Sequence, residues 1–233
     1  MIKKLNKIYY FIFSIALIYF CLFIAFYIVC FFDKEGLYKL IIKYKTYDNL
    51  PFTLSDIDLK NISIELMQYI SGKLQFLETN VTIDGILQDF YSIRSKIHMA
   101  DVRNLIVNFR NICFISIAIC IFTLFKICSF DSALHNLKDV YKNTLIIITL
   151  LITSLIIFAS TNFDFFFTKF HEALFDNDLW LLDPSTDYII CLLPQKIFMI
   201  YGIKIIISMI IAVFLPYFFL VFLSKTQPVQ EAK

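Results

Sequence analysis

Charged residues are scarce in this chain of 233 residues, at 17% of the total, whereas hydrophobic residues make up 59% and the mean hydropathy is +0.75. A soluble domain usually carries about 25% charged and about 45–50% apolar residues. The shortage of charge therefore excludes a disordered chain and argues against an ordinary soluble enzyme. The net charge of +2 is small and the sequence has no basic stripe, so we do not expect nucleic acid as a partner.

Several well-known catalytic signatures are missing as well. The sequence has no GxSxG elbow, no HExxH zinc motif and no P-loop. No serine or cysteine stands out as a nucleophile beside a histidine. No CxxC pair occurs among the six cysteines, Cys21, Cys30, Cys113, Cys120, Cys128 and Cys191. Most of them lie in apolar blocks, which predicts buried small hydrophobic residues.

Four apolar blocks are present, each with the roughly 20 residues that a helix needs to cross ~30 Å of hydrocarbon. The first is too long for the apolar region of a signal peptide, so we expect a membrane span there. The predicted fold is an α-helical membrane protein with four transmembrane helices and a small extracytoplasmic mixed α/β cap. The predicted segments are the N-terminus with span one (1–32), the cap (33–104), span two (105–130), a loop (131–142), span three (143–163), an aromatic-rich segment (164–202), and span four with the tail (203–233).

Lysines predict the orientation of these spans. They flank the ends that would then face the cytoplasm, namely Lys3, Lys4, Lys7, Lys126, Lys138, Lys142, Lys225 and Lys233. The segment between spans three and four is instead rich in aspartate. The positive-inside rule therefore places both termini and the loop 131–142 in the cytoplasm, and the cap and the aromatic-rich segment outside.

Local patterns predict some structure within the cap. Ser55 and Asp58 form a capping box, and apolar residues follow at helical spacing until Gly72, a natural helix stop. That helical face consists of Leu59, Ile62, Leu66 and Ile70. Segments 39–47 and 74–83 are expected to be strands.

Two of the three histidines are candidate functional residues. His98 precedes span two and His171 follows span three, so both are expected at the outer membrane interface. Because a short loop joins those spans, the two rings are expected to be close together. Neutral imidazole is a good base near pH 7, although two unrelated interfacial histidines would fit the topology equally well. His135 lies in the predicted loop and is expected to be solvated.

Other polar residues near the histidines have alternative interpretations. Asp101 lies on the same helical face as His98 and could orient its ring, or it could only satisfy the helix dipole. Arg103 and Arg110 could pair with aspartate or with phosphate headgroups, and Arg110, nearer the membrane, should have a partner. An aromatic belt explains most aromatic residues of 163–194, but the run 176–184 also resembles a pocket. Nothing in the spacing favours zinc at the histidines.

These residues together resemble the lipoprotein intramolecular transacylase (Lit) family. The likeness rests on four spans, on His-Met-Ala-Asp-Val-Arg at 98–103 and on Phe-His at 170–171. It continues through Asn177, Trp180, Asp183-Pro184, Asp187 and Pro194. It covers nearly the whole chain in layout and is specific at 97–103 and 165–194.

The resemblance implies an enzyme that acts on lipoproteins whose N-terminal cysteine carries a diacylglyceryl group. The sn-2 acyl chain moves to the α-amine of that cysteine, giving the lyso form. The catalytic histidines fall on His98 and His171, and no metal or cofactor is implied. We assign the base to His98, helped by Asp101, and oxyanion stabilisation and proton donation to His171, although the two roles could be exchanged. The supporting residues are Asp101, Arg103, Asn177, Trp180 and Asp183, and the substrate-confining ones Phe170, Phe175 and Trp180.

Two other hypotheses stay open at this point. A non-enzymatic membrane-anchored binding protein would use the cap to hold a partner. A different acyl-transfer or phospholipid-modifying enzyme would use the same histidines on free lipid. A transporter is disfavoured, since no acidic relay lies within the spans.

Overall fold

The structure is a computed structural model that describes residues 2–129 and 133–226. In those ranges the chain is mainly helical, with one two-stranded sheet and a short 3₁₀ helix at Thr46–Asn49. The elements are α1 (Ile2–Phe31), α2 (Gly36–Tyr44), α3 (Asp56–Ile70), β1 (Asn80–Ile83), β2 (Ile86–Asp89), α4 (Ile93–Ile127), α5 (Ala133–Thr161), α6 (Phe163–Leu174), α7 (Ile189–Leu192) and α8 (Gln195–Thr226). Two compact units divide these elements: the first unit is 1–26, 111–166 and 207–233, and the second unit is 27–110 and 167–206.

Four helices are long and apolar enough to cross a membrane, which confirms the predicted fold class. They are Lys7–Phe31, Ile93–Ile127, Ala133–Thr161 and Gln195–Thr226. Many of their large apolar side chains are exposed, such as Leu150 at 66% and Phe219 at 60%. Such exposure suits hydrocarbon rather than water as the surrounding solvent.

Three long helices begin before the predicted spans. α4 begins at Ile93, within the predicted cap, α5 begins at Ala133, within the predicted loop, and α8 begins at Gln195, within the predicted aromatic-rich segment. Helix propensity continues past the apolar runs because the polar residues before them are also good helix formers. His135 therefore lies on α5, exposed, with its Nε2 3.3 Å from Asp139. Residues 131–132 of the predicted loop and 227–233 of the predicted tail lie outside the described residues.

The core of the first unit forms where its helices turn side chains towards one another. Tyr141 of α5 is fully buried, and its hydroxyl donates to the carbonyl of Val213 on α8 at 2.8 Å. Tyr10 and Ile18 of α1 are 2% exposed in the same cluster. Pro216 lies within α8, a position that membrane helices tolerate when neighbouring groups satisfy the freed backbone.

The second unit has its own core, which packs α2 and α3 against the hairpin and α7. Leu37, Leu40 and Ile41 bury one face of α2, and Val81 of β1 is 1% exposed in the same cluster. The side chains of the 3₁₀ helix also reach α7, because Thr46 Oγ1 donates to the carbonyl of Leu192 at 2.8 Å. This scaffold lies in the same unit as both candidate histidines.

The capping prediction for α3 is confirmed. Ser55 Oγ accepts a hydrogen bond from the Asp58 amide at 3.1 Å and donates to its carboxylate at 2.7 Å. Beyond the end of the helix, Gly72 has φ +78°, a left-handed conformation that other residues adopt only with strain.

The two strand predictions for the cap are wrong in whole or in part. Residues 39–44 belong to α2 and 46–47 to the 3₁₀ helix. The apolar positions of α2 follow an i, i+3, i+4 pattern, which a short window of alternation hides. Of 74–83 only β1 is a strand, and it pairs with β2 in an antiparallel hairpin that closes at Asp84 and Gly85. Both turn residues have positive φ, as the tightest hairpin turns require.

The cysteines are all free within the structure. Cys21 and Cys113 are buried, as their apolar blocks predict, and Cys191, outside those blocks, is buried as well. Cys128, by contrast, is exposed near the end of the second long helix.

Candidate active site

The two candidate histidines lie side by side, as the topology predicts. The ring centroids of His98 and His171 are 6.0 Å apart, with an angle of 40° between the rings. His98 is on the second turn of α4, and His171 is close to the end of α6. Both are buried, with 5% and 8% of their surface exposed. Two polar rings that share a buried site at this distance are a candidate acid–base centre.

A backbone hydrogen bond fixes the tautomer of His171. Its Nδ1 lies 2.7 Å from the carbonyl oxygen of Phe167, one turn earlier on α6. Because a carbonyl oxygen only accepts, Nδ1 carries the proton and Nε2 keeps its lone pair. Burial lowers the pKa of His171, and the hydrogen bond to Phe167 opposes this to a smaller extent. His171 is therefore a neutral imidazole at pH 7, with Nε2 available to take a proton.

His98 lacks the partner that the sequence suggested for it. Its Nδ1 is buried without a hydrogen bond to any residue that the structure describes. The carboxylate of Asp101 instead accepts from the side-chain amide of Asn177 at 3.0 Å. A buried nitrogen without a partner is costly, so this one is a natural contact point for a ligand.

Aromatic rings surround the histidines. Trp180 stacks on His171 with centroids 5.0 Å apart at an angle of 29°. Phe175 makes an edge contact with His98 at 5.2 Å and lies 5.8 Å from His171, and Phe170 meets His171 edge-on at 5.6 Å. The structure thus brings together all three residues that were predicted to confine a substrate.

The segment 175–188 carries Trp180 and is attached to the start of α4 by polar contacts. The Arg94 Nε donates to the carbonyl of Leu181 at 3.1 Å, and its Nη2 donates to the carbonyl of Asp178. The carboxyl group of Asp187 is 1% exposed and accepts from the hydroxyls of Ser92 and Ser95. Arg94 and the two serines were not predicted as site residues, although Ser92 and Ser95 do have the spacing of a helix N-cap.

Three predicted residues have other partners. Asp183 is exposed, and hydrogen bonds from the amide and hydroxyl of Ser185 lower the pKa of its carboxyl group. The guanidinium of Arg103 lies over the ring of Tyr69 at 5.2 Å. Arg110 has a partner, as was expected, but this partner is a backbone oxygen and not an aspartate or a phosphate: its Nη1 donates to the carbonyl of Ser71 at 3.1 Å.

The fold and the site define an integral membrane protein with a buried acid–base centre. A profile of the family described as lipoprotein intramolecular transacylase Lit matches residues 11–198 of the chain. The protein belongs to this family of membrane enzymes, which transfer an acyl group within lipoproteins. The binding-protein hypothesis is thereby set aside. No curated protein matches the chain significantly by sequence.

Solved structures with the same fold carry the same family name. One is the membrane-integral lipoprotein intramolecular transacylase Lit of Bacillus cereus, at 21% identity and a TM-score of 0.72, with 97% of this chain and 100% of that chain covered. Two variants of the B. cereus protein match at a TM-score of 0.69. The variant with a histidine changed to arginine is 21% identical, covering 96% of this chain and 95% of the other. The variant with a histidine changed to alanine is 20% identical, with 97% of each chain covered.

Proposed function

We propose that this enzyme moves the sn-2 acyl chain of a diacylglyceryl-cysteine lipoprotein to the α-amine of the same cysteine. The product is the lyso form, an N-acyl cysteine whose sulfur keeps a monoacylglyceryl group. The observation that carries the proposal is the buried pair of His98 and His171, with rings 6.0 Å apart. None of the described serine or cysteine side chains hydrogen-bonds to either ring, so the amine of the substrate itself is the nucleophile.

The reaction needs one proton to be removed and one to be supplied. The α-amine has a pKa near 7.7–8.0, so much of it is protonated at neutral pH. Once deprotonated, its nitrogen attacks the ester carbonyl and forms the new C–N bond. The tetrahedral intermediate then breaks the C–O bond to the glyceryl oxygen, which takes up the proton that the nitrogen loses. Ester plus amine thus becomes amide plus alcohol, with no other reactant.

The hydrogen bond of His171 favours that residue as the base. Its Nδ1 donates to Phe167, which leaves the Nε2 lone pair to accept a proton from the amine. His98 then supplies a hydrogen bond to the oxyanion, since its ring is not held by Asp101. The proton that His171 accepted from the amine passes to the glyceryl oxygen as the C–O bond breaks. This moves the base role to His171 and oxyanion stabilisation to His98, and each histidine of such a pair contributes about 10²–10⁴-fold.

The aromatic rings support the proposal by limiting the motion of a flexible substrate. The amine and the sn-2 ester are separated by several rotatable bonds, so their approach costs conformational entropy. Phe170, Phe175 and Trp180 contact the histidines from several sides and can hold the acyl chain near them. Fixing reacting groups in this way is worth several orders of magnitude in rate.

The proposed location of the reaction is the outer interface of the bacterial cell membrane, with both termini in the cytoplasm. The distribution of lysines supports this orientation. His98 is followed on α4 by Arg103 and Arg110, and the uncharged run begins only after them. At such a position the acyl chains of the lipoprotein remain in lipid while its amine remains near water. The partners are then diacylglyceryl lipoproteins and membrane lipid.

Tandem mass spectrometry of one lipoprotein's N-terminal peptide tests the proposal. The lipoprotein is isolated from a host without other N-acylation, with and without this enzyme. Intact mass is unchanged by intramolecular transfer, so fragment ions must locate the acyl chain. We expect an N-acyl, monoacylglyceryl pattern only when the enzyme is present. A diacylglyceryl cysteine with a free amine, despite confirmed expression, would contradict the proposal, and acyl transfer on phospholipid alone would point to a different enzyme.

Histidine variants connect the activity to the site. His98→Gln and His171→Gln should each lower transfer by about 10²–10⁴-fold in the same assay, because each replaces a titrating ring with a neutral side chain of similar size. His135→Gln is the matched control, since that histidine is exposed and pairs with Asp139, away from both candidate histidines in the sequence. Full activity in either of the first two variants would remove the histidine mechanism.

A further inference from the structure

We propose that Arg94 is a positioning residue that holds the turn Asp178–Leu181 so that Trp180 stays stacked on His171. The inference rests on the proposed function of His171. Arg94 lies outside the histidine pair, but through Trp180 it would keep the His171 ring in its position beside His98.

The guanidinium of Arg94 joins both ends of one turn. Within the turn, the Leu181 amide donates to the Asp178 carbonyl at 3.1 Å, and Trp180 is the third of the four residues. Arg94 adds hydrogen bonds to the second lone pair of that carbonyl and, at 3.1 Å, to the carbonyl of Leu181. Two donors in a rigid plane thus fix the carbonyls on either side of Trp180.

The position of Arg94 on α4 links this turn to both histidines. Arg94, His98 and Asp101 follow one another at i, i+4 and i+7, so they share one face of the helix. Asp101 binds the side chain of Asn177, just before the turn, at 3.0 Å. The helical face that carries His98 therefore also binds the segment 175–188 at two places, through Arg94 and through Asp101, and this segment stacks Trp180 on His171.

The expected role is in the reaction step more than in substrate binding. Trp180 covers a face of His171, so its displacement would leave that ring free to move and to be hydrated. A displacement of about 1 Å in an active site can cost as much as about 100-fold in rate. We expect loss of the Arg94 contacts to lower kcat by about ten- to a hundredfold and to change KM much less.

The single tryptophan of the chain makes a direct test available. Tryptophan fluorescence reports Trp180 alone, because the sequence contains one tryptophan. The variants are Arg94→Gln and Arg94→Lys, in the full-length protein in lipid bilayers. The matched control is Lys96→Gln, which also removes one charge from the start of α4 but breaks an ion pair with Asp89, at 2.5 Å, instead.

Arg94→Gln should shift the Trp180 emission to longer wavelength and increase its quenching by acrylamide. Arg94→Lys should restore little of the wild-type emission wavelength or quenching, because one ammonium group cannot reproduce the two parallel donors of the planar guanidinium. Lys96→Gln should match the wild type in fluorescence and kcat, and thermal unfolding in all variants checks that they are folded.

Three outcomes would overturn the proposal. They are unchanged fluorescence in folded Arg94→Gln, a changed fluorescence with unchanged kcat, and a fall in kcat that Lys96→Gln shows equally. If instead the wild type fails to form lyso lipoprotein, the proposed function fails. The fluorescence of Arg94→Gln then still decides whether Arg94 positions Trp180.

Discussion

Removal of the Asp187 side chain should destabilise the segment that carries Trp180. Its carboxyl group is 1% exposed and accepts from the Asp183 amide at 2.9 Å, from Ser95 Oγ at 3.2 Å and from the hydroxyl of Ser92. Asp187→Ala removes all of these, and each hydrogen bond contributes about 1 kcal/mol net. The expected loss in the free energy of unfolding is therefore about 3 kcal/mol.

Asp187→Asn is the matched control for this loss. The asparagine oxygen can still accept from the fixed Asp183 amide, and its amide nitrogen can donate to the hydroxyls of Ser92 and Ser95, which rotate to accept. Its expected cost is about 1 kcal/mol. The two variants therefore separate loss of hydrogen bonding from loss of the carboxyl group itself.

Thermal unfolding followed by Trp180 fluorescence measures both variants. In a protein of this size about 1 kcal/mol lowers Tm by roughly 2–4 °C, so Asp187→Ala should fall by roughly 6–12 °C and Asp187→Asn by roughly 2–4 °C. Equal falls in the two variants would refute the hydrogen-bond reasoning. A fall of less than about 2 °C in Asp187→Ala would show that the segment is held elsewhere.

Three further predictions concern the histidines and the cap. Because burial lowers the pKa of His171, acidification should change the emission of the tryptophan stacked on it with a midpoint below about 6.5. Because of the lowered pKa, the free energy of unfolding should be constant above about pH 6.5 and should fall as the pH decreases from there towards the folded-state pKa, since the unfolded chain binds the proton first. A midpoint of the emission change at or above about pH 6.5 would contradict the lowered pKa. The double variant His98→Gln/His171→Gln should transfer the acyl chain nearly as fast as the slower single variant, since the two histidines act as a unit. A rate lowered by the product of the two single losses would show independent roles. Gly72→Ala should lower the free energy of unfolding by about 1–2 kcal/mol because of the positive φ, and further because the new Cβ would lie 3.0 Å from Val107 Cγ2. Gly85→Ala, at φ +82° with no atom of the described residues within 4 Å of its Cβ, should show the conformational cost alone. Thermal unfolding compares the two, and equal losses would exclude a cost from the Val107 contact.

The spans and the histidine pair were predictable because each depends on long-range patterns that local detail cannot disturb. A membrane span needs only an apolar run of sufficient length, and all four were found. The proximity of His98 and His171 followed from spans joined by a short connection. The capping box at Ser55 was also predictable, since the hydrogen bonds of a capping box depend only on the residue types and their spacing in the sequence.

The contacts that hold the site together were not predictable from the sequence. Arg94 binds backbone carbonyls, and every residue has a carbonyl, so no partner residue type could indicate the contact. Asp101 has two acceptable partners in the sequence, and only the folded path of 175–188 selects Asn177 over His98. The tautomer of His171 likewise depends on an oxygen of the backbone.

These backbone contacts explain how two histidines could suffice for acyl transfer without a nucleophile from the protein. In the proposed reaction the substrate supplies the amine and the ester, so the enzyme must supply geometry and a place for one proton. The carbonyl of Phe167 fixes which nitrogen of His171 accepts that proton, and Trp180 keeps the ring in place. The buried Nδ1 of His98 has no hydrogen-bond partner among the described residues, so it is available for the oxyanion of the proposed reaction. The residues that set the rate would then include those that hold the rings, and a variant such as Arg94→Gln should impair catalysis while both histidines remain.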